Sequence, residues 1–453
     1  LKERKTGSPT SWLTPEHGRA TCHGNNLEGG LGGELRSGNW KHGGEPEDLF
    51  RSIKEGYPEL AMPAFGDTLT DAQIRALVVF IRERVHQTKA ERRDEPKPVD
   101  SKPVSTRYHR YRVEPFVEEG LDTPWAIAFL PDGRALVTER PGRLRIVEDG
   151  QLLPDPVTDT PDTWEHSQGG YMEVALHPEY ADNGWIYLAY TDRIGNEELA
   201  YTKIVRGRLE DNRWIDQEVI FEVPEKFYSG RGHHFGIRFA FEDGYLFFTI
   251  GDRGQQNLAQ DLGNPSGKTH RIYDDGRVPE DNPFADNPEA YPTVWTYGNR
   301  NPQGLAFHPA TGELWSTEHG PRGGDELNLI RPGLNYGWPV VTYGINYNGT
   351  PISDLTEAPG MEPPVLHWTP SIAVCGIDFY TGESFPQWQN DLFVTGLRSQ
   401  ELWRYRLVDG QVAEEELILK DIGRVRDVHT GPDGALYLLL HQPERIVRLV
   451  PAG

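Results

Sequence analysis

The chain of 453 residues has only two cysteines, Cys22 and Cys375, far apart and in what the composition marks as different regions. A structural disulfide is therefore not expected, and cysteine usage does not fix the redox compartment. No apolar run approaches the roughly 18–20 residues that a membrane-spanning helix requires, so membrane insertion is not expected either. Basic residues are in deficit: 46 Lys and Arg stand against 69 Asp and Glu, a formal net charge of −23. With no lysine or arginine stripe to override it, such a surface repels a phosphate backbone and argues against nucleic acid as a partner. What the sequence has in plenty is turn formers. The 49 glycines and 36 prolines suit an all-β architecture that reverses often. Hydrophobic residues at 36% and aromatics at 11% suffice for substantial cores, and the length predicts two or three domains.

Residues 86–106, HQTKAERRDEPKPVDSKPVST, are charged, proline-bearing and almost without apolar side chains. Such a stretch has little to bury and is predicted to be an exposed linker. It divides a partly helical region over 1–85 from a β-rich region over 107–453. Just before it, Thr70 and Gln73 form a capping-box pattern, and Ile74, Leu77, Val78 and Ile81 follow at helical spacing. That spacing predicts a terminal helix with one buried face. After the linker a hairpin unit recurs: a short apolar strand, a turn, and a second strand rich in aromatic and β-branched residues. Copies begin at Ala128, Ala175, Ala240, Ala306, Asp378 and His429. Six unevenly spaced copies indicate radial repetition, with long insertions as loops on one face. The prediction is a mainly β chain, a six-bladed β-propeller behind a small, mainly α N-terminal domain. A β-sandwich with accidental Pro-Asp-Gly turns is the poorer alternative, because all six copies run in the same sense.

In the N-terminal region RATCHG occupies 19–24, and Met62 lies in GYPELAMPAFGDTL. A c-type haem needs a thiol for covalent attachment and an adjacent histidine as axial ligand, and a thioether on the far face raises its potential. Cys22, His23 and Met62 supply one of each. Alone, such residues are more often part of a core. With MPAFG and the closing helix, however, the segment from about Thr21 to Arg82 resembles small class I cytochromes c. The resemblance implies haem c attached at Cys22, with His23 and Met62 axial. It departs from the usual motif at Arg19, which stands where a first cysteine belongs; this implies either a single thioether or a lost haem.

Polar clusters fall at the ends of the repeated strands: HSQGGYMEV, GHHFGIR, TIGDRG, YGNRNPQG, EHGPRGGDE, LNYGWP, WTPSIAVCG and GRVRDV. Each alone is ordinary turn chemistry. In this order and wording they resemble the PQQ-dependent glucose/sorbosone dehydrogenase family over nearly all of 107–453, and EHGPRGGDE resembles its aldose sugar dehydrogenase branch. Pyrroloquinoline quinone (PQQ) is a planar ortho-quinone bearing three carboxylates, so its site must supply cations and a flat slot. Arg300, Arg398, Arg424 and Arg426 fall in the clusters and can pair carboxylates bidentately, although an isolated arginine is usually a solvated charge. The resemblance implies Gln168, Arg300, Asn301, Ser371, Arg398, Arg424 and Arg426 as quinone contacts, Arg398 standing where the family commonly has lysine.

Oxidation of a sugar needs a base for the anomeric hydroxyl and stabilisation of charge on the acceptor. The resemblance puts the base at His234 and the charge-stabilising group at Arg300. The family's glucose dehydrogenases have an aspartate directly before the base, but here that neighbour is His233. A calcium ion, which prefers oxygen ligands and acts as a Lewis acid, is implied at the carbonyls of Gly320 and Pro321. A structural calcium is implied at Asp325, Glu326 and Tyr336, although GGDE by itself reads as an acidic turn. His319, where glucose-specific members have glutamine, is implied at the sugar hydroxyls; Trp368 reads either as an apolar wall of the substrate site or, equally, as a buried core tryptophan. The activity implied is oxidation of an aldose to a lactone in a periplasmic or secreted protein, with electrons passed from reduced PQQ to the haem or to an external acceptor. Two other classes compete: a calcium-dependent, lactonase-like hydrolase, which would want acids converging on the channel, and a non-catalytic binding propeller.

Overall fold

The computed structural model describes residues 22–24, 26–90, 102–195 and 198–452; Arg19 and residues 91–101 lie outside these. Six β-sheets form the blades of a propeller. Their first strands are Pro124–Phe129, Tyr171–Leu176, Phe239–Glu242, Pro302–Phe307, Val374–Phe379 and Arg424–Thr430. Each of them pairs with the next strand through a hairpin unit read from sequence, as in Phe239↔Phe248 and Ala306↔Trp315. The first strands pack on one another around the axis and all run the same way. The ring closes through a seam. The last blade takes strand Arg110–Val117 from the start of the propeller and pairs it with Arg445–Pro451, Val113 opposite Leu449. Pairing the two chain ends of the propeller removes the open edges that an unclosed array would expose.

Between blades the sheets pack through large side chains. Trp315, Trp388 and Tyr380 are fully buried. An aromatic of this kind removes roughly 150–250 Å² from water, about 4–6 kcal/mol of hydrophobic stabilisation each before entropy is counted.

The N-terminal region contains α1 (Pro46–Glu55) and α2 (Asp71–Ala90). Proline in the first turn, acids at Glu47 and Asp48, and Lys54 in the last turn suit α1 to its dipole. The capping box of α2 forms: Thr70 N donates to Gln73 Oε1 at 2.9 Å, and Gln73 N to Thr70 Oγ1 at 3.3 Å. Ile74, Leu77, Val78 and Ile81 enter a core with Leu49 and Ile53 of α1. Two features differ from the sequence expectation. The helix runs on to Ala90, into the stretch expected as linker, because charge without glycine or proline does not stop a helix. It also buries a second face: Ala76, Val79 and Glu83 are covered by propeller loops.

The seam gives a stability test. Leu449→Ala should cost about 2–5 kcal/mol, seen as a lower urea midpoint for loss of the β-sheet signal. An unchanged midpoint would mean that the seam does not hold the ring.

Candidate active site

Because the first strands share a direction, their starts meet at one end of the channel. Gln168, His234, Arg300 and Asn301 lie just before first strands, and Trp125, Arg424 and Arg426 lie in their opening residues. The second strands return to the same end, bringing Asp252, His319 and His441. A cavity of about 470 Å³ opens there, lined by Gln168, His234, Arg300, Asn301, Arg424 and Arg426, with Gln303, His319 and Tyr347.

The charge is one-sided. Arg140, Arg300, Arg424 and Arg426 face the cavity against a single acid, Glu444. Arg300 Nη1 donates only to the carbonyls of His319 and Gly320, at 2.9 and 3.1 Å. Arg426 Nη1 donates to Gln303 Oε1 at 2.9 Å, and its guanidinium lies 4.1 Å from the Trp125 ring centre. Among the described residues no carboxylate pairs with Arg300, Arg424 or Arg426, and the buried Arg426 Nε and His319 Nε2 have no partner. Burial, then the nearby arginines, pushes His319 well below its ordinary range and His441 down to about 3. Burial pushes the Arg426 guanidinium down too, with repulsion from Arg238 and Arg424. Concentrated positive charge with orphaned donors fits a ligand carrying several carboxylates.

Beside the arginines stands an acid–base pair. His234 Nδ1 lies 2.6 Å from Asp252 Oδ1, and Asp252 Oδ2 accepts from Trp338 Nε1 at 2.8 Å. Gly254 N also donates to Asp252 Oδ1, at 2.7 Å. Asp252 is 1% exposed. Burial alone would raise its pKa, but the bonds from His234 and Trp338 and the charge of Arg300 hold it below the ordinary value. Burial, then Arg300, holds His234 below its own range, so the imidazole is neutral at neutral pH. The aspartate fixes the proton on Nδ1 and leaves Nε2 as the acceptor. His234 has a positive φ of 53° and is held there by Gln168 Oε1, which accepts its backbone N–H at 2.8 Å. Gly251 permits this, since a Cβ there would stand 2.4 Å from the His234 carbonyl oxygen.

Sequence reasoning looked for a carboxylate beside the base in the chain. The structure supplies it from TIGDRG, at the end of the neighbouring strand. His233 instead points its ring nitrogen to Ser167 Oγ at 3.3 Å. Three expected contacts fall elsewhere. Ser371 Oγ donates to Asp325 Oδ2 at 3.0 Å. Arg398 Nη1 turns to Glu83 of α2 at 3.4 Å, because that helix lays a buried carboxylate beside it. Trp368 packs between blades against Tyr405. Gly320 and Pro321 form the loop behind Arg300, with the Gly320 carbonyl facing its guanidinium. The residues expected for a structural calcium are committed within the protein. Asp325 accepts from Gly320 N, Ser371 Oγ and Val374 N. The Tyr336 hydroxyl donates to Leu329 O and accepts from Arg331 N, and Glu326 accepts from Asn328. Glu326 also faces the buried Glu318, and burial with the neighbouring carboxylates pushes Glu326 up to about 7 and Glu318 well above its ordinary range.

In the N-terminal region His23 Nδ1 is 2.8 Å from the Gly33 carbonyl, which leaves Nε2 for a metal. Cys22 is a free thiol, and Met62 packs at the edge of the helical core. These three fit a haem c.

Residues 121–448 match the model of the glucose/sorbosone dehydrogenase family. The chain belongs to that family. It is a PQQ-dependent sugar dehydrogenase, and its residues 20–81 match the cytochrome c model of cbb3-type oxidase subunit III. An aldose sugar dehydrogenase of Escherichia coli K12 is 43% identical over 71% of this chain and 88% of its own length. Quinoprotein glucose dehydrogenase B of Acinetobacter calcoaceticus is 28% identical over 70% and 83%. The crystal structure of the apo aldose sugar dehydrogenase from E. coli, 40% identical, overlays with TM-score 0.71 over 76% of this dehydrogenase and all of that chain. The PQQ-bound aldose sugar dehydrogenase of Streptomyces coelicolor, 26% identical, overlays at 0.58 over 78% and 99%.

The unpaired arginines give a binding test. Arg426→Ala should weaken PQQ binding by about tenfold or more, the loss of one charge-assisted hydrogen bond, in a titration followed by quinone absorbance. An unchanged affinity would remove Arg426 from the cofactor site.

Proposed function

We propose that the dehydrogenase oxidises an aldose at its anomeric carbon to the lactone, using PQQ in the arginine-lined cavity and passing electrons to haem c in its N-terminal region. The observation that carries this reading is the His234–Asp252 pair at the rim of a cavity whose arginines lack carboxylate partners. Arg300, Arg424 and Arg426, with Asn301 and Gln168, would hold the cofactor. When bound, PQQ supplies the two-electron acceptor that takes hydride from the sugar carbon. His234 Nε2 takes the proton of the anomeric hydroxyl. Asp252, fixed by Trp338 and Gly254, keeps the ring oriented and stabilises the imidazolium that forms. Arg300 presents its N–H donors where negative charge develops. Calcium at the Gly320 and Pro321 carbonyls is part of the proposal, supported by the resemblance and by the place of that loop behind Arg300.

Cys22, His23 and Met62 would hold the haem, with the His23 tautomer set by Gly33. Two-electron chemistry in the propeller and one-electron transfer at a haem in the same chain make the exchange intramolecular, at an effective concentration near millimolar or above for a short tether. A covalent haem supports a location outside the cytoplasm, with a further electron acceptor there. The cavity's arginines speak against a calcium hydrolase, which would place acids at that mouth.

His234→Asn should lower dye-linked aldose turnover on the order of 10²–10⁴-fold while leaving PQQ affinity nearly unchanged, and Asp252→Asn should do the same. Because the His234 pKa is lowered, the base is competent at neutral pH. The acid limb of kcat/KM should therefore lie below about pH 6.5, the ordinary histidine value, and vanish in His234→Asn. Turnover that survives complete removal of PQQ, or requires added NAD, would refute the assignment. A denaturing gel stained for covalent haem should be positive and turn negative in Cys22→Ala; an unstained native protein would refute the haem.

A further inference from the structure

One side chain at the mouth of the cavity has no part in the mechanism above. Tyr347 lines the cavity yet is 72% exposed. It makes no ring contact or hydrogen bond among the described residues. A tyrosine this open adds nothing to the core, but the segment that carries it is held firmly. Asn346 Nδ2 donates to Thr350 Oγ1 at 3.1 Å and to the Pro351 carbonyl at 3.2 Å, and Ile345 N donates to the Arg322 carbonyl at 3.1 Å.

Those anchors in turn rest on α2. Ile345, 2% exposed, packs with Ala76 and Val79. Arg322 is gripped through Nε and Nη2 by Glu83 Oε2, both at 2.6 Å, with the Glu83 side chain 3% exposed. Arg75 Nη2 donates to the Asp354 carbonyl at 2.5 Å, just beyond the same segment. The residues that touch the propeller recur at helical spacing and are not those that enter the N-terminal core. One face of α2 thus serves the haem-binding region, and the other builds the loop at the mouth.

We propose that Tyr347 is a stacking platform for the sugar ring, and that the N-terminal region sets substrate affinity by holding the 342–351 loop through Val79 and Ile345. This rests on the reading of the cavity as the site of sugar oxidation. The chemistry is general: the C–H face of a pyranose carries partial positive charge and meets the negative face of an aromatic ring. Tyr347 acts on the sugar directly, whereas Val79 and Ile345 are positioning residues that act through it.

In the full-length, PQQ-loaded protein, Tyr347→Ala should raise KM for an aldose about three- to tenfold with kcat nearly unchanged, as loss of uniform binding does. Tyr347→Phe should restore KM. Calorimetric affinity of the loaded protein for an aldonolactone should fall in parallel, while quinone affinity stays the same. Ile345→Ala and Val79→Ala should each raise KM in the same direction. Their effects should vanish in a Tyr347→Ala background, because coupled residues are non-additive. A wild-type protein that binds no quinone and oxidises no aldose would overturn both readings. Quinone binding and turnover with KM and lactone affinity unmoved in Tyr347→Ala would overturn this one alone. Full additivity of Ile345→Ala with Tyr347→Ala would overturn the positioning role.

Discussion

The rest of the molecule depends on one buried guanidinium near the axis of the ring. Arg238 Nη1 donates to Glu173 at 2.7 Å, Nη2 lies 3.1 Å from Asp427, and Nε donates to the Gln303 carbonyl at 2.8 Å. These partners belong to blades two, six and four, and Arg238 leads into blade three. Burial would discharge an isolated arginine, but Asp427 and Glu173 outweigh that cost and raise its pKa. The group also donates to the Arg426 carbonyl at 3.3 Å, so the axial ion pairs lie directly under the cofactor cavity. Breaking such a buried set leaves a charge that nothing else can satisfy, which ties the radial arrangement of blades to the chemistry at the mouth.

Above this layer the arginines turn outward and go unpaired. Below it, a cavity of about 870 Å³ at the other end of the channel collects Glu173, Asp378 and Asp427. Arg238 divides the two, so acids gather at one end of the channel and uncompensated cations at the other. The positive end suits a polyanionic cofactor, and Arg300 there adds to burial in lowering the pKa of His234.

The N-terminal region packs on the propeller through α2. A second buried face on α2, with Glu83 between Arg322 and Arg398, makes the helix common to two cores. Its apolar periodicity pointed to one face only. The second face includes an alanine and a glutamate, and neither residue type signals burial until a partner surface is known.

Much was legible in the sequence because it was local and repeated. Each hairpin carries its own turn and its own apolar alternation, so six copies specify six blades, and the capping box of α2 needs only four consecutive residues. The site residues could be gathered because the motifs sit at matching ends of repeated strands, which ring geometry must bring together. Tertiary structure alone decided which side chains meet across blades. Asp252 reaches His234 from the end of the next strand, Ser371 serves Asp325 rather than the cavity, and Arg398 leaves the cavity for a carboxylate on α2. Hydrogen-bond partners lie within about 3 Å in space, and separation along the chain does not encode that distance.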